Sequence, residues 1–395
     1  MRALRGGPRP PAFRWRRGLA ILGLVILVLC LAILGGGWYY ADALKDGALA
    51  VDHDPDELDL RVAAADGTRI TLQRVSAARD GDWTRDGTFG LEWEGGYGRV
   101  GAILNRDGDQ VVREFTAVRG VPPAGAPARL DSFAFAGNPL EARGIAFEDV
   151  SYSSPLGEFP AWFTPAYRPG RPGSGDVWAV FVHGKGAGRE EALRLLPAVS
   201  GVGLPALVIT YRNDEGVPED GFYRYGASEW RDLDGAVQYA LDHGARRVVL
   251  VGYSMGGGIV ASFLYRSPLA GRVAGVILDS PMLDFAATVD WGARGSFAPW
   301  PVKAIGRAVA ARRFDIDWGD LDYLKRAEEL NAPILLFHGD ADKKVPVATS
   351  DELARARPDT VTYVRVAGAG HVRSWNTNPR AYETAVRDFL LRVLE

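Results

Sequence analysis

Cysteine is all but absent. Cys30 is the only one in 395 residues, so no disulfide can form within the chain. Histidine is scarce too, with five residues at 53, 183, 243, 338 and 371. Without a second thiol, and with imidazoles far apart, no zinc pattern forms. The acid-rich Asp315-Ile316-Asp317-Trp318-Gly319-Asp320 lacks the glycine and the terminal Glu of a calcium loop and reads as solvated surface. Neither a metal nor a cofactor is therefore expected. Charge is missing altogether from Gly18 to Ala41. Acids are missing from the first 17 residues, which hold Arg2, Arg5, Arg9, Arg14, Arg16 and Arg17. A net −3 thus becomes −9 over the remainder, which excludes a nucleic-acid binder.

What is present begins with an apolar run. Leu19 to Leu34 is almost continuously apolar, and about 20 helical residues cross a bilayer core of about 30 Å. Trp38, Tyr39 and Tyr40 fall where an interfacial aromatic belt would lie, with the arginines at the other end. The spacing predicts a cytoplasmic tail over 1–17, a transmembrane signal anchor over 18–41 and everything beyond it outside the cell. Ala41-Asp42-Ala43 also matches a signal-peptide cleavage site, but the apolar run is longer than the usual h-region of about 7–15 residues. Leu29 before Cys30 is too large for a lipoprotein site.

The rest has ordinary globular composition, 47% apolar and 24% charged, with room for about two domains. A polar stalk is expected over 42–57. A small β-rich region follows over 58–140, with short alternating runs such as Arg69–Val75 and Val111–Phe115. The pairs Asp66-Gly67, Asp86-Gly87 and Asp107-Gly108 read as hairpin turns between them. Gly95-Gly96-Tyr97-Gly98 has no strand–helix context for phosphate binding and reads as turn structure. GVPPAGAP at 120–127 reads as a boundary or an exposed loop, and RPGRPG at 168–173 as a loop.

From about residue 145 the rhythm changes. A leading antiparallel pair (145–152 and 158–163) precedes strands at 177–182, 206–211, 248–251, 273–278, 334–337 and 361–366. Helices alternate with them at 190–199, 229–243 (Ser228 as N-cap), 257–265, 350–356 and 379–394. This is an α/β pattern: a mostly parallel sheet with helices on both faces. It spans 145–395 and carries an insertion over about 281–330 where a substrate-covering cap would sit.

The most informative stretch is Arg246–Leu264. A buried strand runs into Gly252-Tyr253-Ser254-Met255-Gly256 and then into a helix. A serine between glycines at such a junction is held out at the sheet's C-terminal edge, with a helix N-terminus aimed at it. A serine nucleophile needs a base and a group that orients the base. Elimination leaves His371: His53 lies in the stalk, His183 ends an upstream strand, His243 lies at the wrong end of a helix, and His338 sits within the acid's own motif. For the acid, Phe337–Pro346 offers Asp342 first and Asp340 second, with Asp279 third. The oxyanion donors are the N–H of Met255 and that of Lys185 or Gly186 in Val182-His183-Gly184-Lys185-Gly186.

These blocks stand in the order of the α/β-hydrolase superfamily, and residues from about 145 to 395 resemble a serine hydrolase of its esterase and prolyl-oligopeptidase-related branches. Lys185 departs from the glycine of lipase-type sequences, which leaves the second donor open. The resemblance implies ester cleavage through Ser254, His371 and Asp342, on a small-molecule or lipid-like ester. A peptidase with the same triad is the alternative, and a binding protein that kept the fold is a third reading. The sequence leaves the oligomeric state and the role of 44–140 open.

Overall fold

The computed structural model describes residues 12–54, 57–75, 81–166, 175–295 and 298–395. The basic tail up to residue 11 and the RPGRPG run lie outside the described residues. Two compact units are present, Met1–Ala50 with Gly295–Asp317, and Val51–Arg294 with Trp318–Glu395.

The first unit opens with α1 (Ala12–Leu44). In the second unit, β1 (Leu60–Ala65), β2 (Arg69–Arg74), β3 (Phe89–Trp93), β4 (Gly96–Asp107), β5 (Gln110–Arg119) and β6 (Pro127–Asp131) form a closed barrel in the order β1-β2-β5-β4-β3-β6. Alternation explains its core: Leu60, Val62, Ile70, Leu72, Phe89, Leu91 and Trp93 all point inward. Closure leaves no edge strand to pair with another chain. Asp66-Gly67 and Asp107-Gly108 do turn hairpins, whereas Asp86-Gly87 follows a single 3-10 turn (Gly81–Thr84) and leads into β3. The 120–127 stretch is a loop inside the barrel, since β6 pairs with β1 and β3 beyond it.

The remainder of this unit is an eight-stranded sheet. Its strands are β7 (Glu148–Ser154), β8 (Gly157–Thr164), β9 (Val177–Val182), β10 (Ala206–Ile209), β11 (Arg247–Tyr253), β12 (Val273–Asp279), β13 (Ile334–Gly339) and β14 (Val361–Val366). Their order is β14-β13-β12-β11-β9-β10-β8-β7, parallel from β9 onward, with β7 and β8 antiparallel at one edge. Every residue of β9, β10 and β13 is buried, as continuous apolar runs require of strands covered on both faces. The helices of this unit are α2 (Pro139–Arg143), α3 (Leu196–Gly201), α4 (Trp230–Asp242), α5 (Met255–Arg266), α6 (Phe285–Gly292), α8 (Val347–Ala356), α9 (Ser374–Thr377) and α10 (Pro379–Leu394), while α7 (Trp300–Phe314) belongs to the first unit.

Two helix expectations fail. The helix expected over 190–199 is a 3-10 run (Arg189–Arg194) followed by α3, because Pro197 has no N–H to donate back to Leu193 and is tolerated only in the first turn of a new helix. Ser228 does not cap α4: its hydroxyl donates to Asp220, while the buried Glu229 carboxylate accepts the N–H groups of Arg224 and Gly226 instead.

In the first unit, α1 carries an 18-residue window of mean hydropathy 3.0 and is long and apolar enough to cross a membrane. The start of the expected stalk is helical, continuing as a π-turn through Leu49. The C-terminal end of α1 packs on α7, the middle of the expected cap. Gly37 faces Ile305, Gly306 faces the Tyr40 ring, and Arg313 pairs with Asp42 at 2.8 Å while lying over Trp38. A Cβ on Gly37 would come within 2.4 Å of Ile305, so the close approach of these helices depends on that glycine. The flanks of the same insertion, with α6, belong to the second unit, where Phe285 stacks on Trp318 and Tyr225.

Candidate active site

β11 ends in a turn that only two glycines allow. A Cβ on Gly256 would lie 2.2 Å from the Val182 carbonyl oxygen, and one on Gly252 would lie 2.8 Å from that of Gly256. The chain can therefore double back from strand to helix, leaving Ser254 at φ +49°, ψ −116°. Its amide donates to the Asp279 carbonyl at 3.0 Å, and its side chain projects from the edge formed by the parallel strand ends. Met255 opens α5, so its N–H has no acceptor within the helix.

The loops after β13 and β14 bring two more side chains to this oxygen. Ser254 Oγ donates to His371 Nε2 at 2.8 Å, and His371 Nδ1–H donates to Asp342 Oδ2 at 2.7 Å. Asp342 is fixed at its other oxygen by the N–H groups of Lys344 (2.8 Å) and Val345 (2.9 Å). His338, fully buried, stands 3.2 Å from Oδ2 on the far side. Burial resists ionisation of Asp342, but the two imidazoles outweigh it and hold its carboxyl far below the usual range. For His371, burial leads, the charges of Lys344 and Arg373 add to it, and together they outweigh Asp342, holding the imidazole below its ordinary value near 6.5.

The other acids lie elsewhere. Asp340 accepts the Gly368 N–H at 2.7 Å. Asp279 is buried and accepts Ser374 Oγ at 2.9 Å, and burial raises its carboxyl to about 6. Of the remaining histidines, His183 donates from Nδ1 to the Gly184 carbonyl at 2.9 Å and pairs through Nε2 with Asp214 at 2.8 Å. Two acceptors on one ring require both nitrogens to carry protons. Burial works against that cation, but Asp214 prevails and raises the imidazole's pKa. His183 therefore braces the loop after β9. In that loop Gly184 lies against Ser254, since a Cβ there would stand 3.2 Å from the serine's own. The Lys185 and Gly186 amides come next, the latter facing the Tyr223 hydroxyl.

A buried network that sequence patterns did not show holds these loops together. Glu191 accepts the Gly184 N–H at 2.8 Å and pairs with Arg194. Arg194 donates to the Val372 carbonyl beside His371 and to Asn376 Oδ1, each at 3.1 Å. Asn376 in turn donates to the carbonyls of Thr88 and Ser132 at 2.8 Å, which belong to the barrel region. The barrel also reaches the edge that holds Ser254 and His371 directly. Arg113, wholly buried within it, donates to the carbonyls of Asp82, Trp83, Gly87 and Gly101 and so shapes the 81–87 loop. From that loop Asp82 pairs with Arg373 at 2.8 Å, and Arg373 donates to the His371 carbonyl at 2.9 Å. The hollow beside His371 is lined by Asp82, Arg85, Lys343, Lys344 and Arg373, so the 81–87 loop supplies part of that wall.

With this geometry in view, the likenesses to known proteins are specific. The sequence profile of the alpha/beta hydrolase family matches residues 169–385, and one for a domain of unknown function matches 61–131. An uncharacterized protein of Mycobacterium tuberculosis is 25% identical over 224 residues, 57% of this chain and 73% of its own length. Dipeptidyl aminopeptidase BIII of Pseudoxanthomonas mexicana is 27% identical over 205 residues, but only 29% of that longer protein is spanned. The solved esterase Pf2001 of Pyrococcus furiosus shares the fold at 19% identity, with a TM-score of 0.51 over 64% of this chain and 93% of its own. A profile match over more than half the chain, on the sheet that carries Ser254, His371 and Asp342, places it: the chain belongs to the alpha/beta hydrolase family.

Proposed function

We propose that the protein is a membrane-anchored serine hydrolase that cleaves carboxylic esters. The observation that carries this reading is the unbroken hydrogen-bonded line from Ser254 through His371 to Asp342, at 2.8 and 2.7 Å. His371 Nε2 takes the Ser254 proton as Oγ bonds to the ester carbonyl carbon. The carbonyl oxygen becomes an oxyanion held by the N–H of Met255 and a second amide. Lys185 is the better second donor, since the Gly186 amide faces Tyr223. The alcohol then leaves with the proton from His371, and water repeats the sequence on the acyl-enzyme. Asp342 stays ionised throughout and keeps the imidazole in the Nδ1–H form. Esters come first because an alcohol leaves more readily than an amine.

Peptide cleavage by the same groups is the second reading, favoured by the 27% identical stretch shared with an aminopeptidase. Aryl esters of graded chain length, assayed beside aminoacyl anilides, separate the two. Turnover of anilides above esters would reverse the order.

The anchor rests on α1 and on the arginines before it. We place the N-terminus in the cytoplasm and the hydrolase outside, tethered near the membrane surface. Protease added to spheroplasts should then digest the hydrolase, and alkaline-washed membranes should retain it. A protein released in soluble form would instead favour cleavage after Ala43.

A further inference from the structure

Lysine is the rarest charged side chain here: the sequence has six, at 45, 185, 303, 325, 343 and 344. Three of the six stand on the two loops that frame the catalytic groups. Lys185 follows Gly184, which touches Ser254, and Lys343 and Lys344 follow Asp342 directly. The hollow beside His371 is lined by Lys343, Lys344, Arg85 and Arg373 against a single acid, Asp82. That acid is already engaged by Arg373 at 2.8 Å and lies 3.6 Å from Arg85. The ammonium groups of Lys343 and Lys344 are exposed and form no ion pair among the described residues. A fifth cation, Arg294, donates to the Lys343 carbonyl at 3.3 Å.

Burial first, and then the charge of Lys344, lower Lys185 to about 8, with Asp52 opposing. A protein of net −3 that gathers cations at the one edge where its serine and histidine meet has the field of a site for a negative group. The hydrogen-bonding inventory agrees: ammonium and guanidinium groups offer only donors, which match the oxygens of carboxylate or phosphate.

Resting on the hydrolase reading above, we propose that the substrate is an anionic ester whose carboxylate or phosphate binds in this hollow, against Lys343 and Lys344. Arg85, held out by the barrel loop, closes the other side, which gives the barrel a part in substrate choice.

The test compares kcat/KM of the full-length protein in detergent for 4-nitrophenyl butyrate, for 4-nitrophenyl hydrogen succinate and for a butyryl ester of glycerol phosphate. The butyrate is the neutral reference, and the two anionic esters distinguish carboxylate from phosphate. Wild type should prefer at least one anionic ester. The double variant K343Q/K344Q should lower the anionic-to-neutral ratio roughly 10-fold, and added salt should lower it in wild type as the Debye length shrinks below about 10 Å. Lys325→Gln, on a distant exposed turn, should leave the ratio unchanged. Cleavage of the neutral ester with no anionic preference, or a ratio that the double variant does not move, would overturn the subsite while leaving the serine hydrolase standing. Failure to cleave any ester, with Ser254 inert to a fluorophosphonate, would remove both.

Discussion

Replacing Asp342 by Asn should cost far more than the loss of one charge, and the structure shows why. Oδ1 of Asp342 accepts two backbone N–H groups, from Lys344 and Val345. An amide can satisfy both only with its oxygen, so the NH2 group is forced into the Oδ2 position. That position is 2.7 Å from His371 Nδ1. Two donors would then face each other, and relief comes only if His371 moves its proton to Nε2. In that tautomer the nitrogen 2.8 Å from Ser254 Oγ is itself a donor and cannot accept the serine's proton. The expected loss is on the order of 10⁴ in kcat, about 5.5 kcal/mol of transition-state stabilisation, with KM changed little. Initial rates on 4-nitrophenyl butyrate across pH 5 to 10, with circular dichroism to verify folding, measure it. A variant within about 10-fold of wild type, or a larger loss in Asp340→Asn, would refute the reasoning.

Asp279→Asn should leave the chemistry intact and stabilise the fold. Burial raises this carboxyl from an ordinary 3.8 to about 6, so the folded state favours the protonated form, and stability falls as pH rises through that window. Removing the charge should add up to about 3 kcal/mol at pH 7 and nothing at pH 3.5, read by urea denaturation at both values; equal effects at the two pH values would contradict it. The acid limb of kcat/KM should lie below pH 6.5, because His371 must be neutral to act and its imidazole is held below the ordinary value. Lys344→Gln removes one of the depressing charges and should move that limb upward, and an unmoved limb would show that the lysine's charge does not reach His371.

Much of this architecture is written in local patterns, and the parts that are not share a physical cause. The elbow is legible because its sterics admit glycine at 252 and 256 and little else. The parallel sheet is legible because strands covered on both faces must be apolar throughout. Barrel closure is not, since the inward alternation of Leu60, Val62, Ile70 and Leu72 is the same in an open sheet. Asp342 and Asp340 are two residues apart on one loop, and only the position of the Lys344 and Val345 amides separates them. Glu191, Arg194 and Asn376 carry no motif, because their partners are backbone atoms and side chains as far as 288 residues away. The 281–330 insertion reads as one polar and aromatic stretch, whereas its helix α7 packs through Gly306 on Tyr40 of α1. Such a pairing of a single glycine with a large side chain of the facing helix leaves no periodic trace.

Ester cleavage here requires that Ser254 be a nucleophile made reactive by His371. A fluorophosphonate probe, incubated with the full-length protein and followed by tryptic mass spectrometry, tests it most directly. One adduct is predicted, on the peptide holding Gly252-Tyr253-Ser254-Met255-Gly256. It should be absent in Ser254→Ala, which folds normally because the serine's own Cβ already occupies that backbone position, and it should form at least 10³-fold more slowly in His371→Ala. An adduct elsewhere, or labelling of Ser254 at the same rate without His371, would contradict the account.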